Sequence, residues 1–283
     1  MPRSPRTTPT RDAVAVVTIA HGRHDHLARQ QRSLGAGDRS PAPWVVVAMG
    51  DSWLETWTGD VGPVPEVVAV DADPGRLPLA AARNRGAARA LEQGADVLVF
   101  LDVDCLAGPT LLQGYAAAVR AHPGTVWSGP VTYLPPGLDE ATLADPSALD
   151  DPHPARPAPA PGELVHGAPP ELFWSLSFAL SGEAWERSGG FHEGYAGYGG
   201  EDTDFARTLA DRGLDLGWVG DARAYHQHHP VQSPPVDHLD DILRNGALFA
   251  RRWGSWPMGG WLERFEELGL VERTPSGWSR RPG

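Results

Sequence analysis

Three short segments hold the residue types that do chemistry. Asp102-Val103-Asp104 closes the most hydrophobic run of the chain, VLVFL over residues 97–101. Two carboxylates one residue apart at a strand end offer hard oxygen ligands to Mg2+ or Mn2+ and can hold the cation against a diphosphate. Open α/β sheets bind their ligands beyond the carboxyl ends of strands, where this pair falls. Taken alone, Asp-x-Asp describes an acidic strand-to-loop junction equally well. The second segment runs from Tyr198 to Phe205 (YGGEDTDF). Gly199 and Gly200 let the backbone approach a ligand closely. Glu201, Asp202 and Asp204 then fall on the first turn of a predicted helix, where the dipole favours their charge. Three acids in four positions exceed what a cap needs, and a carboxylate facing a hydroxyl is a natural general base. The third is His226-Gln227-His228-His229, ending a predicted strand. Strand alternation places His226 and His228 on one face, where an imidazole could complete a metal site. An exposed polar loop describes these histidines as well, unless the fold carries them to Asp104.

Weaker signals lie at the other strand ends. TIAHGR (Thr18–Arg23) follows the first apolar run, Asp51 the second, and Asp71 or Asp73 the third; Arg83, Asn84 and Arg85 open a helix. Loops there would line a base and ribose pocket.

The elements that must position these groups follow from the apolar runs. Residues 13–20, 44–50, 66–70 and 95–102 are short and Val-rich, the pattern of strands buried on both faces of a parallel sheet. Helices are predicted between them at 24–35 and 79–94, each stopped by glycine, and 51–65 is a loop or short helix. The order implies a doubly wound α/β lobe over 13–134 with helices on both faces, which includes a helix at 107–122 and a strand at 125–134. Residues 135–170, dense in Pro, Ala and Asp, read as a mobile loop or lid. A second ordered stretch over 171–230, expected to be an acceptor or catalytic region, follows, with strands at 173–180 and 216–225 and helices at 181–188 and 201–212. Residues 231–283 read as amphipathic, Trp-rich helices.

Composition narrows the function. The chain has 283 residues and a formal net charge of −12, which argues against coating nucleic acid or a polybasic membrane contact. No apolar run is long enough to span a bilayer. Residues 1–12 carry no apolar core of a secretory signal and read as a disordered tail. All 24 basic residues are arginine, so a lysine-dependent phosphate loop or Schiff base is excluded. The single cysteine, Cys105, excludes an internal disulfide framework and a multi-Cys zinc site, and a cytoplasmic location is the expectation.

In order, VVTIAHGR, LAAARNRGAARALEQGADVLVFLDVDC, SFALSGEAWERSGGFHEGYAGYGGEDTDFARTLADRG and ARAYHQHH resemble the GT-A-fold glycosyltransferases, family 2 above all. The last two segments also resemble the C-terminal half of β1,4-galactosyltransferases and polypeptide N-acetylgalactosaminyltransferases. The resemblance implies a Rossmann-like nucleotide-sugar-binding sheet with an acceptor-side region and C-terminal helices. It implies Asp104 as direct metal ligand, with Asp102 near the ribose or on the metal. It implies Asp202 as catalytic base, Glu201 holding acceptor or donor sugar, and Tyr198 and Gly200 against the sugars. His226, with His228 as alternative, would be the further metal ligand. Thr18, Ala20, Arg23, Asp51, Asn84, Asp102 and Asp104 fall where the family binds nucleotide. The expected activity is transfer of a sugar from a nucleoside diphosphate sugar, a UDP-sugar above all, to an acceptor hydroxyl with Mn2+ or Mg2+ and inversion. The rival expectations are a sugar-phosphate nucleotidyltransferase and a catalytically silent carbohydrate- or nucleotide-binding protein of the same fold.

Overall fold

A computed structural model describes residues 12–59, 61–73 and 75–282. The expected tail over 1–12 lies outside the described residues except for Asp12, which pairs with Arg39 (3.0 Å) and with Arg120. The strands are β1 (Val14–Ala20), β2 (Trp44–Met49), β3 (Glu66–Val70), β4 (Val97–Leu101), β5 (Cys105–Ala107), β6 (Thr125–Ser128), β7 (Val131–Tyr133), β8 (Leu164–His166), β9 (Ser177–Ser181), β10 (Asp215–Val219), β11 (Ala224–His226), β12 (Val271–Thr274) and β13 (Gly277–Arg280). The helices are α1 (His24–Ala36), α2 (Ser52–Glu55), α3 (Leu79–Glu92), α4 (Leu111–Ala121), α5 (Glu140–Ala144), α6 (Gly182–Ser188), α7 (Glu201–Asp211), α8 (Leu239–Trp253) and α9 (Gly259–Glu267).

The main sheet has eight strands in the order β3-β2-β1-β4-β9-β6-β10-β8. Only β9 and β8 run against the others, so the sheet is mostly parallel, as the Val-rich runs predict. Alternation explains how one sequence feeds two cores. Val14, Val16 and Ala20 of β1 face one core with Leu27 and Leu34 of α1 and Leu111 of α4. Ala15, Val17 and Ile19 face the other, with Ala80, Ala82, Ala87 and Ala90 of α3 and Phe205 of α7. Helix α3 packs tightly enough that a Cβ on Gly86 would lie 2.4 Å from Val17 Cγ1.

Two expected strands break, and break together. The run 125–134 divides at Gly129-Pro130, and 216–225 divides at Gly220-Asp221. Strands β6 and β10 lie in the main sheet; β7 and β11 leave it as a parallel pair and join β5 in a second sheet, β5-β11-β7. The corners touch: a Cβ on Gly129 would come within 1.8 Å of Ala222 O. This switch turns the histidine segment back toward Asp104.

Residues 135–170 are not a loop without structure of their own. Asp139 caps α5 and Asp145 caps a 3-10 turn at Pro146–Leu149, each accepting from a backbone N–H. Leu138, Leu143 and Leu149 pack against Leu106, Leu134 and Tyr225, and β8 adds an edge strand to β10. The expected strand over 173–180 forms only from Ser177, and the C-terminal helices are followed by an unexpected hairpin, β12–β13. Among the described residues no helix is long and apolar enough to cross a membrane.

Candidate active site

Helix α1 and strand β11 build the surroundings of the Asp102–Asp104 turn. Gln30, fully buried on α1, donates through Nε2 to the carbonyls of Asp102 (2.7 Å) and Cys105 (2.9 Å), while its Oε1 accepts from Thr18 Oγ1. One turn earlier, His26 Nδ1 lies 2.5 Å from Asp104 Oδ1, and Arg23 Nε lies 3.6 Å from the same oxygen. From the other side β11 pairs antiparallel with β5, with His226 opposite Cys105. The Gln227 N–H donates to Asp104 O (2.7 Å), and its Nε2 donates to His26 O (3.1 Å). One potential ligand atom each from Asp104, His226 and His229 all lie within 4.8 Å of one another.

His228 does not join this group; it is exposed, and His229 takes its place, with Nε2 3.5 Å from Asp104 Oδ2. The strand ends at His226, so two-residue alternation no longer applies beyond it. Asp102 is also outside the group, its Oδ1 accepting from Arg83 Nη2 at 3.0 Å. Burial pushes Asp104 upward, but the His26 hydrogen bond and the Arg23 charge outweigh it and hold the carboxyl below its ordinary value. Burial lowers His226 to about 4 despite the opposing Asp104 charge, so its ring is neutral and able to donate a lone pair. A carboxylate with two imidazoles is a donor set that fits a divalent first-row cation such as Mn2+. Mg2+, with its stronger preference for oxygen, is served less well by the two nitrogens.

The three acids in the first turn of α7 divide three tasks. Glu201 Oε1 lies 3.5 Å from Arg83 Nη1, so the buried Arg83 joins Asp102 to the helix. Asp204, 1% exposed, accepts from Tyr195 OH (3.0 Å), Arg252 Nε (2.6 Å) and Trp253 Nε1 (2.7 Å), which ties α7 to α8. Asp202 accepts from the Thr203 N–H (2.7 Å) and faces a cavity. Burial raises both Glu201 and Asp202; for Glu201 the neighbouring Asp202 charge adds to the rise and Arg83 opposes it. The glycine loop before α7 is held by α8: Asn245 Nδ2 donates to the carbonyls of Ala196, Tyr198 and Gly199. Gly199 and Gly200 have φ of 90° and 92°, where glycine is favoured. Tyr198 stacks on His238 with ring centroids 4.6 Å apart.

Two cavities meet here. One of ≈ 660 Å³ is lined by Arg23, Asp104, His226 and His229. The other, ≈ 530 Å³, is lined by Arg83, Glu201, Asp202 and a set of aromatic rings, and Asp102, Leu176 and Tyr198 line both. Gly200 lies on the second, while Thr18, Ala20, Asp51 and Asn84 line neither. Thr18 and Ala20 are core: the Thr18 hydroxyl is used by Gln30 and Trp44, and a side chain pointing into the core of a doubly covered sheet cannot reach a ligand. Asp51 caps α2 and accepts from the Gly22 N–H and His24 Nε2, so its oxygens are occupied. Asn84 exchanges hydrogen bonds with the Phe191 backbone and donates to Glu193, anchoring α3 to the loop before Tyr195. Reading the sequence passed over His26 and Gln30, and within the histidine segment it set His228 rather than His229 beside His226. The signal for the first two was their i, i+4 spacing on α1, which stacks them on one helical face.

Comparison with known proteins agrees with this architecture. Residues 169–230 match a family described as the N-terminal domain of galactosyltransferase. No curated protein sequence matches the chain. Among solved structures, GalNAc-T7 with UDP, GalNAc and Mn2+ superposes with a TM-score of 0.54 at 16% identity, over 85% of this chain and 50% of that one. S. aureus TarS 1–349 superposes with a TM-score of 0.52 at 13% identity, over 87% of this chain and 66% of that one. Its complex with UDP gives 0.53 at 13% identity, over 84% and 65%. The chain thus spans about half the length of the GalNAc-T7 chain it matches. The fold is that of the GT-A glycosyltransferases.

Proposed function

We propose that the chain is a divalent-metal-dependent, inverting glycosyltransferase that moves a sugar from a UDP-sugar to an acceptor hydroxyl. One observation carries the reading: the Asp104, His226 and His229 donors and the Asp202 carboxylate open into two cavities that meet at Asp102 and Tyr198. The matched galactosyltransferase domain and the UDP and Mn2+ in the GalNAc-T7 structure support it.

Asp104, His226 and His229 would hold the cation, Mn2+ or Mg2+. When bound, the cation supplies positive charge that offsets the charge growing on the leaving diphosphate. Arg23, at the edge of the same cavity, adds a guanidinium for phosphate oxygens. Asp202 takes the proton from the acceptor hydroxyl as its oxygen bonds to the anomeric carbon; the bond from that carbon to the diphosphate breaks, and its electron pair leaves with the diphosphate. Attack opposite the leaving group inverts the centre. Glu201, paired with Arg83, positions the sugar or acceptor beside Asp202.

Thermal unfolding against a panel of nucleotide sugars, with and without Mn2+, tests the reading. A ligand at about a hundredfold its Kd adds about 2.7 kcal/mol to apparent stability, which a melting curve resolves. UDP-sugars with Mn2+ raise Tm and release UDP slowly by hydrolysis. No shift with any nucleotide sugar and either metal, and no UDP release, removes the proposal.

A further inference from the structure

The Pro-rich segment leaves one anomaly. Arg156 is 7% exposed, and its Nε, Nη1 and Nη2 have no hydrogen-bond partner. Its guanidinium lies over Trp174 (5.1 Å) and near Trp218 (5.8 Å), so among the described residues ring faces stand where hydrogen-bond partners would. His153 shares its tight turn, the Arg156 N–H donating to His153 O (3.1 Å). The turn is anchored to β7: the His153 N–H donates to Val131 O (3.0 Å), and the Asp151 N–H donates to Thr132 Oγ1 (3.0 Å). From there His153 meets Tyr133 (5.5 Å, edge-on) on one side and Trp174 (5.1 Å, edge-on) on the other. Tyr133 in turn stacks on His226 (4.6 Å). An unbroken series of rings therefore runs from the metal-side cavity, through the insertion, to a tryptophan lining the Asp202 cavity.

We propose that Trp174 is the face on which the acceptor stacks, and that His153 and Arg156 of the Pro-rich insertion are the positioning residues that fix it there. This rests on the glycosyltransferase reading. The acceptor class follows from the charges. The cavity is lined by the carboxylates of Asp102, Glu171, Glu201 and Asp202 against Arg83 and Arg207. Both cations are already paired, Arg83 with Asp102 and Glu201 and Arg207 with Glu171 (3.3 Å). Among the described lining residues no unpaired cation remains for an anionic acceptor, whereas a flat C–H or aryl face suits the indole. The acceptor is an uncharged hydroxyl compound with such a face.

The test uses the full chain, Mn2+, a UDP-sugar that the wild-type enzyme hydrolyses, and 4-nitrophenyl β-D-glucoside or 4-nitrophenyl β-D-glucuronide as acceptor. Transfer to the glucoside exceeds transfer to the glucuronide by about tenfold or more in kcat/KM. His153→Ala raises the glucoside KM about tenfold relative to the donor KM, as does Trp174→Ala, a loss of the size expected for one aromatic contact. His153→Phe, which keeps a ring against Trp174, restores the wild-type ratio. Equal use of the glucuronide, use of neither acceptor by an enzyme that hydrolyses donor, or parallel changes in both KM values overturns the inference and leaves the donor chemistry standing. Absence of UDP release by wild type overturns the glycosyltransferase reading itself, and this inference with it.

Discussion

Replacing Arg83 by methionine tests whether the two cavities share one electrostatic hinge. The stem keeps its packing in the substitution; the charge is lost. The Arg83 side chain is 4% exposed, with Glu201 at 10% and Asp102 at 25%. At 3.0 and 3.5 Å each ion pair is worth about 5 kcal/mol of gross attraction at an effective dielectric of about 20. Most of that offsets the burial of three charges, but removing the cation leaves two buried carboxylates uncompensated, which costs about 3–5 kcal/mol. The loss depends on pH with a definite sign. In the native protein burial already raises Asp102 and Glu201, and Arg83 opposes both shifts. Without Arg83 both rise further. A carboxyl whose folded value lies above its unfolded one contributes stability that is present at low pH and lost as pH climbs through the folded value. The deficit of Arg83→Met in urea unfolding is therefore larger at pH 8 than at pH 5, the window opening upward from the ordinary values of 3.8 and 4.5. Adding Glu201→Gln to the variant recovers part of it, about 1–3 kcal/mol, because neighbours that share a partner do not add. A deficit below about 1 kcal/mol at pH 8, or one equal at both pH values, refutes the argument.

The histidine assignment separates two adjacent residues. His229→Ala abolishes the Mn2+-dependent part of the UDP thermal shift and His228→Ala retains it; the opposite result in calorimetry restores His228 as ligand. Asp202→Asn lowers kcat by about 10²–10⁴-fold while UDP binding with Mn2+ persists, and wild-type turnover in that variant removes Asp202 as base. Because burial raises the Asp202 carboxyl, and a base must be ionised to act, kcat falls with acidification along a limb centred above 3.8. A limb centred at or below 3.8 in the kcat–pH profile contradicts the burial argument.

What the sequence discloses here and what it conceals have the same physical origin. Strands β1, β2 and β4 are legible because a doubly covered parallel sheet demands apolar residues on both faces, and Val-rich runs satisfy nothing else as well. Asp102 and Asp104 are legible because a strand that ends in carboxylates delivers them to the edge where such folds bind ligands. Residue type stops informing where one type serves several purposes. Glu201, Asp202 and Asp204 are indistinguishable as a string. Arg83, more than a hundred residues earlier, claims the first; Arg252 and Trp253, nearly fifty residues later, claim the third; the second is left to face a cavity. Thr18 is a related case: its place near a strand end suggests a ligand, and the structure gives its hydroxyl to Gln30 and Trp44. The proline-rich stretch misleads for another reason. Proline and alanine dominate its composition, yet its order comes from two capping aspartates and from Leu138, Leu143 and Leu149, too few to mark a periodic face but enough to dock on Leu106, Leu134 and Tyr225. His229 escapes by the shortest margin. Alternation holds only while a strand lasts, β11 lasts three residues, and one position past its end the geometry belongs to the turn. The Asp104, His226 and His229 cluster is thus a consequence of two strands changing sheets together at Gly129 and Gly220, a step that leaves glycines in the sequence but no direction.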